Sequence, residues 1–591
     1  MNRTQITFAA IIGVTVLIVC AAVGFSLISN QLGDSTAEAT PVGGFEVPEN
    51  VSEDAVVVTV ASSNTKEGWL NAVVEKFNAS GQTTADGRPI VVSVSHVTSG
   101  ASMEAILAGT LQPVAWSPGD PSWADQLNSQ WRTQTNSNQD LNSAACTPTI
   151  YAPLGFAMWR PMAEALGWPD APISWEMLVD LANDPDGWNS IPGASPQWGE
   201  FRFGHTHPAY ANSGLLSMTS FVYGVVDTGG QAITPAQVYE AEADMRALQN
   251  VTAKYGLQAP ALLDLMARQG PSYLHAAAVP EADVVRFNIE RGNELALGGL
   301  VFIFPSGGTI WADHPYCILD RAEWVTAEQA EGGQIFLDYL LAREQQELAI
   351  DNYLRPLDSN VALRAPLTLE NGTIPTASPA TIPALPSPDE AVSEAVIDLF
   401  LLTKRKATIV LVLDTSGSMR GERISTATTA TVDFLDNLSP NDEVAVLTFS
   451  NNTLTLSEPN RVGEVKESLQ PLIRTLIAEG NTALYESVCQ ATALMADLQA
   501  EDVAAGESRL YGIVLLSDGE DTIGRPTEGQ MFATCLPTNA EADGVKIFPI
   551  AFGGEADTAV LQRIANVTGG RLFTADPASI GRVYNSIAAE Q

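Results

Sequence analysis

The sequence predicts an α/β protein in which a two-lobed domain precedes a second domain with a doubly wound parallel sheet, after one N-terminal transmembrane helix. Short apolar runs rich in β-branched residues end in Gly/Ser turns and alternate with amphipathic helical segments, which is typical of parallel sheets covered on both faces. Residues 6–28, by contrast, form one long apolar run without a charged side chain.

The composition bounds the size and the partners of this protein. Its 591 residues are 45% apolar and 17% charged, which indicates a globular chain of three or four domains at about 150 residues each. The net charge is −39, from 69 acidic and 30 basic residues. Such a surface repels phosphate backbones and anionic lipids, so the composition argues against a nucleic-acid partner.

The N-terminal segment has the features of an uncleaved membrane anchor. As a helix, residues 6–28 would span roughly 34 Å, which is enough for the bilayer core. Arg3 precedes this run, so the positive-inside rule predicts a single-pass cell-membrane protein with a cytoplasmic tail at 1–5 and extracytoplasmic C-terminal domains. A signal peptide cleaved near the Ala-Glu-Ala sequence at 37–39 is the alternative. Residues 29–54 are then a polar linker.

Residues 55–365 predict the larger, two-lobed domain. Strands at 55–61, 89–97 and 113–116 form a βαβαβ pattern, and each ends in a turn rich in hydroxyl residues. Because the carboxyl ends of parallel strands share one sheet edge, these hydroxyls and the free N–H groups of the following helices suit an anion or a carboxylate. The candidate ligand contacts are Ser62, Ser63, Ser99, Ser102 and Ser117. Simple helix N-caps are the alternative for each of them.

A second lobe is predicted in the same domain. Residues 148–159 form the strand that crosses between the lobes, and two later strands lead to Asn212 and Thr309, which are further candidate ligand contacts. His205 and His207 are either ligand contacts or structural histidines. Four tryptophans either line a pocket or pack in the core, namely Trp116, Trp123, Trp159 and Trp311.

Three stretches of this domain carry a family resemblance. APLGFAMW, FGHTHPAYANSGLLS and GGTIWADHPY resemble the two-lobed type 2 periplasmic solute-binding proteins. The resemblance covers residues 55–365 and implies a small solute bound between the lobes. The hydroxyl turns are similar to those of the oxyanion-binding members, so an anion is one expectation for the solute.

A Pro-rich stretch at 366–395 predicts a semi-rigid linker before the last domain, at 396–591. Beyond the apolar segment there are four cysteines, two on each side of this linker, and they allow three pairings. The pairs Cys146–Cys317 and Cys489–Cys535, each within one domain, are the simplest arrangement for an oxidising compartment. Four buried free thiols are the alternative, since large domains do not need disulfides.

The last domain places oxygen-bearing side chains at its predicted sheet edge. The candidate metal ligands are Asp414, Ser416, Ser418, Thr482 and Asp518. The first three follow a buried strand, the threonine lies in a turn before a helix, and the second aspartate follows another buried strand. Carboxylate and hydroxyl oxygens suit Mg²⁺, or Mn²⁺ as a substitute, rather than zinc. A capped turn without metal is the alternative.

These segments also resemble a known site. DTSGSM, GNTAL and LLSDGED are together similar to the metal-ion-dependent adhesion site of von Willebrand factor type A domains, over roughly residues 405–591. The resemblance implies that Ser416, Ser418 and Thr482 touch the metal directly and that Asp414 and Asp518 hold it through water. It also implies a protein partner that supplies a carboxylate to the metal.

Taken together, these features predict a non-enzymatic, membrane-anchored extracytoplasmic protein that binds a protein partner through the metal and a small solute between its lobes. The solute-binding component of an ABC importer is one alternative. A metal-dependent hydrolase that uses the same metal is another. The neutral hydroxyl ligands argue against the hydrolase, because they suit a metal that binds rather than one that activates water.

Overall fold

The computed structural model describes residues 45, 51–52 and 54–587, apart from 229–230, 257, 293–294, 508, 537–543, 555, 578, 582 and 585–586. The predicted anchor at 6–28 and its cytoplasmic tail lie outside these residues. Within the described part of the chain, no helix is both long and apolar enough to cross a membrane. The described residues belong to one compact unit.

The first lobe is built on a four-stranded sheet. Its strands are β1 (Val56–Ser62), β2 (Ile90–His96), β3 (Ala115–Ser117) and β10 (Cys317–Ile318), in the order β10-β3-β1-β2. Strand β1 pairs in parallel with β2 and β3, as the βαβαβ pattern predicts, whereas β10 is antiparallel. The helices of this lobe are α1 (Glu67–Ala79), α2 (Ser99–Leu107), α3 (Pro121–Thr135), α11 (Ala327–Leu341) and α12 (Arg343–Asp351).

The second lobe contains a seven-stranded sheet centred on a long, buried strand. Its strands are β4 (Ile150–Trp159), β5 (Phe203–Thr206), β6 (Thr252–Gly256), β7 (Ala276–Pro280), β8 (Leu300–Ile303), β9 (Trp311–Ala312) and β11 (Arg355–Pro356). Its helices are α4 (Arg160–Ala165), α5 (Trp175–Asn183), α6 (Asn212–Val225), α7 (Pro235–Glu240), α8 (Glu242–Asn250), α9 (Ala259–Gln269) and α10 (Glu281–Arg291). Strand β4 pairs antiparallel with β7, β8, β9 and β11, so it organises this lobe.

The C-terminal domain is a six-stranded sheet covered on both faces. Its strands are β12 (Ala407–Asp414), β13 (Glu443–Phe449), β14 (Thr453–Arg461), β15 (Leu510–Ser517), β16 (Lys546–Phe552) and β17 (Phe573–Ala575), in the order β14-β13-β12-β15-β16-β17. Its helices are α14 (Glu422–Asn437), α15 (Val462–Arg474), α16 (Leu484–Ala505), α17 (Glu528–Thr534) and α18 (Thr558–Thr568). Only β14, an antiparallel hairpin partner of β13, departs from the predicted alternation. Its alternating apolar residues end at Leu456, and the polar run that follows contains Pro459, so the strand pattern is short.

The Pro-rich stretch, which the sequence predicts as a semi-rigid linker, packs on the two lobes. Ala384 bridges to Thr309, and the indole of Trp311 donates a hydrogen bond of 3.3 Å to the Ile382 carbonyl. The hydroxyl of Ser387 donates a bond of 2.7 Å to the Asp120 carboxylate in the first lobe. This stretch therefore lies along both lobes, because its backbone satisfies its polar groups on them rather than in water.

Helix α13 (Glu390–Thr403) continues this path toward the metal-site domain. It packs on α3 of the first lobe and on α6, α7 and α8 of the second. Phe400 is fully buried, with its ring 4.8 Å from His207 and 5.4 Å from Tyr255 between centroids. Most of this helix therefore packs in the interface between the domains and does not belong to the last domain alone.

Strand β6 also joins the two domains. The hydroxyl of Tyr255 accepts a hydrogen bond of 3.1 Å from the Arg405 N–H, just before β12. The Lys254 ammonium lies 5.4 Å from the centre of the Phe548 ring, and Tyr255 belongs to the core of the last domain. The solute-binding region and the last domain therefore share buried apolar surface.

Two disulfides are present, in the same pairs that the sequence analysis proposes. Cys146 is bonded to Cys317, 171 residues apart, and Cys489 is bonded to Cys535, 46 residues apart. The first ties the start of the second lobe to the returning edge strand β10. The second ties α16 to the end of α17.

Candidate functional site

The predicted metal ligands lie at the carboxyl edge of the C-terminal sheet, where β12 and β15 end side by side. Asp414 is fully buried, and its two carboxylate oxygens accept hydrogen bonds of 2.8 Å from the Ser416 N–H and the Ser517 hydroxyl. The Ser418 hydroxyl lies 2.9 Å from that of Ser416 and donates a bond of 2.6 Å to Asp518 Oδ1. Four of the five predicted side chains thus form one connected cluster of oxygens.

Thr482 belongs to a turn that is attached to the same loop. The Gly417 N–H donates to the Gly480 carbonyl at 3.0 Å, and the Thr482 N–H donates to the Thr522 hydroxyl at 2.8 Å. Gly480 has a φ of +87°, and an added Cβ there would lie 2.8 Å from the Asn451 amide nitrogen. Only glycine fits this turn without strain, and the turn holds Thr482 beside the strand ends.

The spacing of these oxygens fits a small divalent ion. A Mg²⁺ ion holds its ligands in an octahedron at roughly 2.1 Å, so that neighbouring ligand oxygens are about 3 Å apart. The 2.9 Å between the two serine hydroxyls is close to this edge length, whereas the 2.6 Å from Ser418 to Asp518 is a hydrogen bond, consistent with a carboxylate that would hold the ion through water. In the described residues, no group of three or more His, Cys, Asp and Glu side chains suits a metal. An ion here would therefore draw on the hydroxyls as well as on the two carboxylates.

The electrostatics of the cluster favour a cation. Burial raises the pKa of the Asp414 carboxyl to about 6, against the opposing effect of its hydrogen bonds from Ser416 and Ser517, and the nearby Asp518 raises it further. A bound cation would lower the pKa of Asp414 again, because its positive charge stabilises the ionised carboxylates.

The charged side chain of Arg423 at this site was not predicted from the sequence. Arg423, in the first turn of α14, places Nη1 2.7 Å from Asp518 Oδ2. A basic residue shortly after the Asp-x-Ser-x-Ser segment was the available signal. Nothing in the linear order, however, indicates which carboxylate it would reach.

A separate cavity of about 260 Å³ lies between the two lobes. Three of the seven predicted ligand contacts line it, namely Ser63, Ser99 and Asn212. Ser99, Asn212 and Ala259 are the first residues of α2, α6 and α9, so three helix N-termini meet at this cavity. Their free N–H groups and positive dipole ends favour an anionic group.

The other four predicted contacts do not line the cavity. Ser62 donates to the Ser63 carbonyl, Ser102 accepts a bond from the Trp116 indole, and Ser117 donates to the Pro315 carbonyl. Thr309 donates to the Leu154 carbonyl within the second lobe. These hydroxyls satisfy buried backbone and indole groups of the scaffold, which sequence reasoning cannot distinguish from ligand contacts.

Charged residues near the cavity were also missed. Arg286 lines it and donates a bond of 2.7 Å to Asp283, another lining residue. Beneath the cavity, the buried Lys66 donates a bond of 2.8 Å to the Ser63 hydroxyl. Burial lowers the pKa of Lys66 well below its ordinary value.

The predicted histidines and tryptophans have structural roles. His205 is fully buried and bonds to the Thr206 carbonyl and to Gln249, while burial lowers the pKa of His207 to about 3. All four tryptophans are at most 7% exposed and pack in one core. The indole of Trp123 nevertheless donates a bond of 2.9 Å to Asn212 across the lobes, which helps to position a cavity residue.

Comparisons with known proteins agree with both resemblances. A family model for the von Willebrand factor type A domain matches residues 408–583. A "UPF0353 protein" of Mycolicibacterium gilvum is 26% identical over 193 residues, which are 29% of this chain and 57% of that protein. Inter-alpha-trypsin inhibitor heavy chain H4 of Bos taurus is 27% identical over 172 residues, 27% of this chain and 18% of that protein. This chain thus spans less than two thirds of the length of either relative.

The two-lobed region has matches of its own. The periplasmic binding protein AfuA of Actinobacillus pleuropneumoniae, solved with fructose-6-phosphate bound, aligns at 15% identity and a TM-score of 0.40, covering 60% of this chain and 99% of that one. A family model described as bacterial extracellular solute-binding protein matches residues 58–355, just over half of the chain. The chain therefore belongs to the bacterial extracellular solute-binding proteins and joins their domain to one of the von Willebrand factor type A family.

Proposed function

We propose that this protein is a membrane-anchored extracytoplasmic binding protein whose C-terminal domain holds Mg²⁺ and captures a carboxylate of a protein partner. The observation that carries the proposal is the cluster of Asp414, Ser416, Ser418 and Asp518 oxygens at one sheet edge. Ser418 is exposed, so an ion bound there would face solvent with a coordination position left for the partner. The anchor is residues 6–28, and a carbonate wash of membranes tests it by leaving the chain in the pellet.

Metal titration tests the first part of this proposal. Mg²⁺ is expected to raise the Tm of the full chain and EDTA to reverse the rise. Asp414→Ala should abolish this response, and Ser416→Ala should weaken it less, because water can replace a neutral hydroxyl in an octahedral shell. Asp433→Ala, an exposed aspartate on α14, is the matched control and should respond like wild type. If neither Mg²⁺ nor EDTA changes the Tm of the wild-type protein, the metal site is refuted and the cluster is a capped turn.

We further propose that the cavity between the lobes binds a small solute with an anionic group. The convergence of three helix N-termini on one cavity supports this proposal, and Arg286 adds a positive charge that it shares with Asp283, while Glu67 also lines the cavity. Calorimetry with sulfate, phosphate, amino acids and sugars is the test. Arg286→Met should weaken binding of an anion, while Arg268→Met, an exposed arginine on α9, should not. Tight binding of an uncharged sugar, with every anion failing, would refute the anionic solute.

We propose a binding role rather than catalysis for both sites. The serine hydroxyls at the metal site are neutral ligands that hold an ion without providing a general base. The tight packing of α13 across both lobes favours a permanently joined sensor or adhesion protein over a simple carrier for an importer. Opening of the two lobes to release solute to a transporter would have to disturb this interface.

A further inference from the structure

Arg423 has an unusual position relative to the candidate metal site. Its Nη1 lies 2.7 Å from Asp518 Oδ2 and 3.5 Å from the Ser418 carbonyl oxygen. The Asp518 side chain is fully buried, whereas that of Arg423 is 32% exposed. The guanidinium therefore reaches in from the rim of the site and covers the carboxylate oxygen that Ser418 does not use.

The two oxygens of Asp518 are divided between different partners. Oδ1 accepts from the Ser418 hydroxyl at 2.6 Å, within the cluster that faces the candidate ion, and Oδ2 accepts from Arg423. A buried carboxylate without a compensating charge is costly, so an ion pair of this kind stabilises the metal-free fold. The same positive charge repels a divalent cation placed beside Oδ1.

The surroundings hold the guanidinium in this place. Gly553, in the loop after β16, has a φ of +81°, and a Cβ added there would lie 3.7 Å from Arg423 Nη2. A side chain at this position would therefore contact the guanidinium, so glycine leaves room for Arg423 beside this loop. Arg420, three residues earlier, is directed elsewhere, since its Nε donates to the Ala478 carbonyl at 3.2 Å.

We propose that Arg423 is a built-in counter-ion of the metal site, which neutralises Asp518 when no metal is bound and competes electrostatically with the metal. This inference rests on the proposed Mg²⁺ site. In this proposal Arg423 acts through Asp518 to set the metal affinity. The ion pair stabilises the empty site, and the positive charge of Arg423 repels the metal when it binds. Metal binding would then be weaker, and more readily reversed, than the oxygen ligands alone would allow.

Removal of the positive charge of Arg423 tests the proposal, because it should raise the Mn²⁺ affinity and lower the stability of the metal-free protein. Arg423→Met, which keeps much of the side-chain volume, should bind Mn²⁺ about tenfold more tightly than wild type, which is about 1.4 kcal/mol. In EDTA the same variant should unfold at a lower denaturant concentration, and saturating Mn²⁺ should reduce that difference. Arg423→Lys should stay near the wild-type affinity because it retains the charge. Arg420→Met is the matched control and should leave the Mn²⁺ affinity near wild type, because its guanidinium bonds to the Ala478 carbonyl and not to a carboxylate of the site.

Each outcome separates this inference from the function on which it rests. If Arg423→Met binds Mn²⁺ no more tightly than wild type, including the case in which neither binds, the counter-ion role is refuted. If Arg423→Met binds Mn²⁺ while wild type and Arg420→Met do not, the counter-ion role stands and the proposed metal-loaded state of the native protein fails. Unchanged stability of Arg423→Met in EDTA would also overturn the proposal, because the ion pair would then contribute nothing to the empty site.

Discussion

Replacement of Phe400 by alanine should destabilise the protein strongly, because this side chain holds the interface between the two domains. Its ring is fully buried and makes edge-to-face contacts with His205, His207 and Tyr255, with ring centroids 4.8 to 5.6 Å apart. Truncating a buried Phe typically costs about 3–5 kcal/mol of unfolding free energy, through the lost transfer energy and the cavity left behind. The aromatic contacts place Phe400 toward the upper end of that range.

The neighbouring Leu401→Ala is the matched control. Leu401 lies on the same helix but is 44% exposed, so its truncation should change stability by about 0.5 kcal/mol or less. Urea unfolding followed by tryptophan fluorescence measures both variants, compared by midpoint because a multidomain chain need not unfold in two states. Equal midpoints for the two variants would refute the packing of α13 on the lobes.

Three further predictions concern the scaffold. The double variant Cys146→Ser/Cys317→Ser should lower stability by about 2–5 kcal/mol, since this disulfide closes a loop of 171 residues, and denaturant midpoints with and without reductant measure the loss. Arg509→Met should cost about 3 kcal/mol, because its buried guanidinium pairs with three carboxylates, and a shift much below 1 kcal/mol would show that these pairs are solvated. Burial raises the pKa of Asp313 to about 7, so the native state binds this proton more tightly than the unfolded state. The free energy of unfolding should therefore fall by about 1–4 kcal/mol as pH rises from about 4 through 7. Asp313→Asn should lack this pH dependence.

The sequence by itself determined the βαβαβ order of the first lobe, most of the strand order of the last domain and the metal-site motif. Buried parallel strands require continuous apolar runs, and their Gly/Ser/Asp endings follow directly in the chain, so Asp414, Ser416, Ser418 and Asp518 could be assigned to one sheet edge from local pattern alone. The hydroxyl turns of the first lobe were located by the same reasoning. Only Ser63 and Ser99 among them line the cavity, however, because a hydroxyl that bonds to a buried carbonyl or indole of the scaffold has the same local sequence as a ligand contact.

The tertiary structure decided which distant groups meet. Arg423 reaches Asp518 from 95 residues away, Ser387 reaches Asp120 in the first lobe, and Phe400 closes over His207. These contacts leave no periodic signal, since each depends on how separate elements pack and not on the residues beside it in the chain. The Pro-rich stretch has a composition typical of spacers, and its binding along the lobes arises because the partner groups that satisfy its backbone lie far away in sequence.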